Sequence, residues 1–148
     1  MTSQTIVLVE DNPDDEALTL RAFAKSNIRN EVVVLRDGAE ALAYLFPGGD
    51  DDSAPRPALI LLDLNLPKVG GLEVLRRMQT DERTRLIPVV VLTSSKLDED
   101  VLDSYRSGAN AYVRKPVKFS DFAEAVGTLG VFWLLLNEPA PSRAPESD

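Results

Sequence analysis

Residues 6–16 read Ile6-Val7-Leu8-Val9-Glu10-Asp11-Asn12-Pro13-Asp14-Asp15-Glu16, and this stretch decides the fold. Four apolar residues in a row suit a short buried strand. Two carboxylates then stand at its edge. Asn12 can cap a helix, Pro13 fits the first helical position, and Asp14, Asp15 and Glu16 complement the positive helix end. A buried strand that passes straight into a capped helix is the first half of a βαβ unit.

The same pattern recurs outward along the chain. Strand-like runs occupy 5–9, 31–35, 58–62, 88–92 and 110–114, and helical segments fit 37–45, 71–80, 98–107 and 119–136. The near-continuous apolar character of 59–62 and 89–92 predicts strands covered on both faces, whereas 31–35, bounded by Glu31 and Arg36, reads as an edge strand. On the first helix Ala17, Leu20 and Ala24 form an apolar stripe with Phe23 beside it. Residues 47–57, with two glycines, three prolines and Asp50-Asp51-Asp52, read as a solvated loop. Five alternating βα units imply right-handed crossovers and a parallel sheet. The 148 residues suffice for one domain over 1–137, followed by a disordered tail over 138–148.

Charges mark the ends of the runs. Glu10 and Asp11 follow the first, Asp63 follows Leu59-Ile60-Leu61-Leu62, and Lys115 closes Ala111-Tyr112-Val113-Arg114. In an open parallel sheet ligands bind beyond the carboxyl ends of the strands, where these four residues would gather. Two like charges about 4 Å apart repel by roughly 4 kcal/mol at an effective dielectric near 20. Three carboxylates held together therefore call for a divalent cation, and a hard ion such as Mg2+ takes oxygen ligands. An acidic helix start would explain Asp14, Asp15 and Glu16, which are read as capping charges. It leaves Glu10 and Asp11 unexplained.

Composition removes other chemistries. With no cysteine and no histidine, disulfides, thiolate or imidazole zinc sites, and Cys-His or Ser-His-Asp catalysis are excluded. The net charge of −8 argues against nucleic-acid binding and supplies no polybasic membrane anchor. Met1-Thr2-Ser3-Gln4 has no signal-peptide character, and the longest apolar stretch, Val131 to Leu136, is far short of a membrane span. The expectation is a cytoplasmic protein.

Val9-Glu10-Asp11, Asp63-Leu64-Asn65-Leu66-Pro67 with Gly71, Leu92-Thr93-Ser94, and Gly108-Ala109-Asn110-Ala111-Tyr112-Val113-Arg114-Lys115-Pro116 occur in this order at the strand ends. Over about residues 4–136 the chain thereby resembles the receiver domain of two-component response regulators. The resemblance implies a flavodoxin-like (βα)5 doubly wound parallel sheet with strand order 2-1-3-4-5. It implies that Asp63 takes a phosphoryl group from a histidine kinase as an acyl phosphate. Asp11, Asp63 and the backbone carbonyl of Asn65 would bind Mg2+ or Mn2+, with Glu10 acting through a coordinated water. Lys115 and Thr93 would bond the phosphoryl oxygens, helped by the backbone N–H groups of Asn65 and Ser94. Thr93 and Tyr112 would form the switch, and the Lys115-Pro116 bond would be cis. Glu10 stands where the family commonly has Asp, Gly70 where an acidic residue is frequent, and Ser94 where alanine is frequent.

About a dozen residues follow the last helical segment, so the expectation is a stand-alone receiver: a phosphoacceptor signalling protein rather than an enzyme. Its own chemistry would be limited to autophosphorylation from small donors and autodephosphorylation. Its output would be protein binding through the face built from residues 98–119. Phe122, Val126, Leu129, Trp133 and Leu136 make a core stripe, and Phe132, Leu134 and Leu135 add apolar surface beyond it. That excess predicts a homodimer through the last helix, with Phe132, Trp133, Leu134 and Leu135 at the interface. The Phe132-Trp133-Leu134 ending, the loop 47–57 and Leu66-Pro67-Lys68 look like the small receivers that partner bacterial and cyanobacterial phytochrome kinases. Two alternatives stand beside this reading. A haloacid-dehalogenase-like hydrolase would want a second Asp two residues after Asp63, where this chain has Asn65, and a cap segment, which is absent. A phosphate sink without an effector would share every residue named.

Overall fold

A computed structural model describes residues 5–48, 56–95, 97–115 and 118–130. Its elements alternate strictly: β1 (Ile6–Val9), α1 (Pro13–Lys25), β2 (Val32–Leu35), α2 (Gly38–Leu45), β3 (Leu59–Leu62), α3 (Gly71–Gln79), β4 (Val89–Thr93), α4 (Asp98–Arg106), β5 (Ala111–Arg114) and α5 (Phe119–Gly130). All strand pairs are parallel and the order is β2-β1-β3-β4-β5. The strand expected at the edge, β2, is there. Residues 49–55 of the loop and the expected tail lie outside the described residues, as does the expected helical stretch beyond Gly130.

Burial follows position in the sheet. Every residue of β1, β3 and β4 is buried, while three of the four residues in β2 are only partly so. Alternation divides the core into two layers. Val7, Val9, Ile60, Leu62, Val89 and Val91 pack on Ala41 and Leu45 of α2 and Val74, Leu75 and Met78 of α3. Ile6, Leu8, Leu59, Leu61, Val90 and Leu92 pack on Ala22 and Phe23 of α1 and Phe122, Ala123 and Val126 of α5. Each fully buried aliphatic side chain contributes about 1.5–3 kcal/mol against solvent exposure.

Helix α1 begins as the sequence predicts, with the Asn12 Oδ1 accepting from the backbone N of Asp14 at 2.8 Å and of Asp15 at 3.2 Å. Its buried face differs from the expected stripe. Ala17 and Ala24 are exposed and Leu20 is 36% exposed, while Thr19, Ala22 and Phe23 are buried. At 100° per residue the two faces lie roughly 140° apart. The Phe23 ring instead packs in the layer with Phe122, Ala123 and Val126 of α5, space that the small side chains of Ala17 and Ala24 would leave unfilled. Thr19 meets no penalty inside, because its hydroxyl donates to the Asp15 carbonyl at 2.8 Å. This rotation also points Asp15, one turn before Thr19, toward the sheet.

The loop after β3 is fixed by close backbone contact. A Cβ at Gly71 would lie 2.3 Å from the Asp63 carbonyl oxygen, and one at Gly38 would lie 1.8 Å from that of Val69. The starts of α3 and α2 therefore press directly on the two ends of this loop. Asp37 caps α2 through the Glu40 N–H at 2.7 Å, and its other oxygen pairs with Lys68 of the loop at 3.5 Å.

Candidate functional site

Strand register brings the expected residues together. Val9 pairs with Leu62, so Glu10 and Asp63 emerge side by side, and the Asp63 N–H donates to the Val9 carbonyl at 3.1 Å. The Lys115 N–H donates to the Thr93 carbonyl at 2.8 Å, which sets the end of β5 beside the end of β4. From there the Lys115 ammonium reaches across the sheet edge. Its Nζ lies 2.5 Å from Glu10 Oε1, 2.9 Å from Asp15 Oδ2 and 3.1 Å from Asp63 Oδ2. The second oxygen of Asp63 accepts from the Thr93 hydroxyl at 2.8 Å and from the Asn65 backbone N–H at 3.2 Å.

Burial sets the electrostatics. Glu10 is 2% exposed, and burial pushes its carboxyl up to about 7 despite the pull of Lys115. Burial also acts on Asp63, but the Lys115 charge with the Thr93, Lys115 and Asn65 bonds outweighs it and holds this carboxyl below its ordinary value. For Lys115 burial favours the neutral amine, while bonds to Glu10 and Asp15 and the charge of Asp63 prevail and raise it. At neutral pH Asp63 is therefore an ionised carboxylate beside a charged ammonium.

Asp11 completes the acidic side. It is exposed, and one oxygen each of Glu10, Asp11 and Asp63 fall within 4.8 Å of one another. Three hard oxygen donors, two buried and one facing solvent, fit a hydrated divalent cation such as Mg2+ or Mn2+. They suit no soft metal.

A second set of bonds leaves Asp63 on the opposite side. The Thr93 hydroxyl that donates to Asp63 accepts from the Ser95 N–H at 3.4 Å. The Ser95 carbonyl accepts from the Tyr112 hydroxyl at 3.2 Å, and the Ser95 hydroxyl donates to Asp100 Oδ2 on α4 at 2.5 Å. Ser95 thus joins β4, β5 and α4. An open groove that shares Tyr112 is lined by Asp98, Val101, Tyr105, Tyr112, Val113 and Arg114.

Glu10, Asp11, Asp63, Asn65, Thr93 and Lys115 meet at one place, and Tyr112 connects to it through Ser95. Asp15, read from sequence only as a capping charge, is a direct partner of Lys115. No local signal marked it, because its direction follows from Phe23, eight residues on, whose burial fixes the rotation of α1. Ser95 and Asp100 carried no sequence signal for their link. Pro116, and with it the Lys115-Pro116 bond, lies outside the described residues, as do Phe132, Trp133, Leu134 and Leu135.

Comparison with known proteins follows the same geometry. The family model for the response regulator receiver domain matches residues 6–127. The response regulator Rcp1 of Synechocystis sp. is 42% identical over 131 residues, covering 88% of this chain and 89% of its own length. The Mn2+-bound form of Rcp1 superposes with a TM-score of 0.84 at 40% identity, over 93% of this chain and 99% of that one. The phosphorylated cyanobacterial phytochrome response regulator RcpA superposes at 0.86 with 42% identity, over 95% of this chain and all of RcpA. The bacteriophytochrome response regulator RtBRR is 52% identical with a TM-score of 0.73, over 95% of this chain and 86% of that one. A probable methanogenesis regulatory protein, FilR2 of Methanothrix harundinacea, is 43% identical over 139 residues, covering 93% of this chain and 88% of its own length. Among the described residues no helix is long and apolar enough to cross a membrane.

Proposed function

Because the chain belongs to the response regulator receiver family, we propose that Asp63 accepts a phosphoryl group from a phytochrome-type histidine kinase and that the phosphorylated chain signals by binding another protein. The observation that carries this reading is the placement of Asp63, ionised and bonded on both oxygens, between Lys115 and Thr93. A carboxylate oxygen of Asp63 forms the new bond to phosphorus while the bond from phosphorus to the kinase's histidine nitrogen breaks. The nitrogen keeps the electron pair. Lys115 meets the growing negative charge with N–H donors, and Thr93 turns its hydroxyl from the carboxylate to a phosphoryl oxygen. Glu10, Asp11 and Asp63, with the Asn65 carbonyl, would hold Mg2+ or Mn2+, which when bound neutralises charge on the phosphoryl oxygens.

The hydroxyl of Thr93 is also the acceptor for Ser95, so turning it perturbs the link from Ser95 to Tyr112 and α4. That is a route from the pocket to the groove between α4 and β5. Autophosphorylation from small donors and autodephosphorylation are part of the proposal. The receiver is taken to span residues 1–137. A homodimer through Phe132, Trp133, Leu134 and Leu135 is part of the proposal and rests on the apolar excess of that segment.

The names of RcpA and RtBRR support a phytochrome as the kinase, while FilR2 shows that comparable identity accompanies other regulation. Transfer is therefore tested directly. A phosphorylated phytochrome kinase should pass label to the chain within minutes and none to Asp63→Asn, with intact mass showing one added group. Label on a serine or threonine would overturn the acceptor. Uptake from a small donor but not from such a kinase would overturn the pairing alone. Light scattering on the parent and on Phe132→Ala tests the dimer.

A further inference from the structure

An ammonium has three N–H donors. In Lys115 all three are engaged, by Glu10, Asp15 and Asp63. Lys115 can bond a phosphoryl oxygen on Asp63 only by giving up one of them. The three acceptors differ in what release would cost. The Glu10 side chain is 2% exposed, so freeing it would leave a buried carboxyl group without its partner and out of reach of water, and Asp63 is the reacting group itself. The Asp15 side chain is 31% exposed, and water can take over its oxygen.

Asp15 is also firmly aimed. Its backbone N–H is bonded to the Asn12 cap, its carbonyl accepts from Thr19, and the buried Ala22 and Phe23 fix the rotation of α1. A rigid helix therefore holds this carboxylate over the ammonium. We propose that Asp15 is a positioning residue for phosphoryl transfer, which occupies the third donor of Lys115 until the phosphoryl oxygens displace it. This rests on the reading of Asp63 as the acceptor. In the exchange no proton moves: one N–H of Lys115 leaves the Asp15 oxygen and meets a phosphoryl oxygen, as the Asp63 oxygen–phosphorus bond forms. With acetyl phosphate as donor, the phosphorus–oxygen bond to acetate breaks and acetate leaves with the electron pair.

Asp15 then competes with the phosphoryl group, and its removal should favour phosphorylation. The test measures phosphorylation by acetyl phosphate at saturating Mg2+, together with Mg2+ affinity, for the parent, Asp15→Ala, Asp15→Asn and the exposed control Asp14→Ala. Asp15→Ala should take up the group about fivefold faster, the scale of a part-exposed ion pair. Asp15→Asn, which keeps an uncharged acceptor, should fall between it and the parent. Asp14→Ala and Mg2+ affinity should match the parent. In a Lys115→Met background the substitution at Asp15 should change nothing, a coupling that a helix-start role would not show. Equal rates in the parent and both Asp15 variants would overturn the proposal. So would a tenfold loss of Mg2+ affinity, which would place Asp15 on the metal side. If the parent itself takes up no group, the acceptor reading fails and this one falls with it.

Discussion

Carboxylates meet cations at two ends of this molecule, with opposite results. In the turn after α3, Asp81 accepts from Arg83 Nε at 3.1 Å, from its terminal nitrogen at 2.9 Å and from its backbone N–H at 2.8 Å. Those bonds drive the Asp81 carboxyl down to about 2. At the carboxyl edge of the sheet Glu10 also touches a cation, yet burial lifts it to about 7. Solvent is one difference and crowding the other. Asp81 is held by Arg83 without another carboxylate sharing its oxygens, whereas Lys115 is bonded to three carboxylates with Asp11 close by. The half-buried pair, open to water on one side, adds a little stability and no reactivity. The buried cluster is short of positive charge, which fits it to draw in a divalent ion.

Removing the shared cation should give the largest effect. Lys115→Met strands buried carboxylates, and breaking a buried pair costs about 3–5 kcal/mol. Chemical unfolding without divalent ions should show a loss of that order, shrinking in millimolar Mg2+. An unchanged midpoint without Mg2+ would mean that the cluster is solvated as Asp81 is. The same variant should bind Mg2+ but respond weakly to phosphorylation, read as partner binding with a phosphoryl mimic.

Thr93→Val tests the other side of Asp63. It nearly preserves shape but removes one hydroxyl that donates to Asp63 and accepts from Ser95. A loss of about 1–2 kcal/mol is expected, as for a buried hydrogen bond. A loss near zero in urea unfolding would place the hold on Asp63 in Lys115 alone.

Asp81→Asn should matter least, under about 1 kcal/mol at pH 6. Its sign with pH is fixed. The folded value near 2 lies below an ordinary aspartate of about 3.9, so the contribution is full above about pH 4. It disappears as pH falls toward 2. Urea midpoints of parent and variant should therefore converge as pH falls from about 4 toward 2, and a gap that widens there would reverse the comparison.

The strands and their end charges were legible because that information is local. Four apolar residues followed by a charge place Glu10 and Asp63 without knowledge of any neighbour, and Lys115 follows a shorter apolar run that ends on Arg114. Strand order came from the family resemblance, and the edge position of β2 from its flanking Glu31 and Arg36. The rotation of α1 was not legible. Two of its faces carry apolar residues, and only docking on the sheet shows that Phe23 prevails over Ala17, Leu20 and Ala24. The error concealed Asp15, because reversing the helix face removes that carboxylate from the site. The link from Ser95 to Asp100 was hidden for a similar reason: it depends on where α4 settles after the turn.

Gly71 and Gly38 have a consequence outside chemistry. Neither can react, yet the space each leaves open lets the backbone between Asp63 and α3 lie where it does. A saturation library of this chain scored for folding should reject nearly every substitution at these two positions, while Asp63→Asn, which on the proposed function should end signalling, should pass. Comparing that library with one scored for signalling would separate positions that matter for what they offer from positions that matter for what they omit.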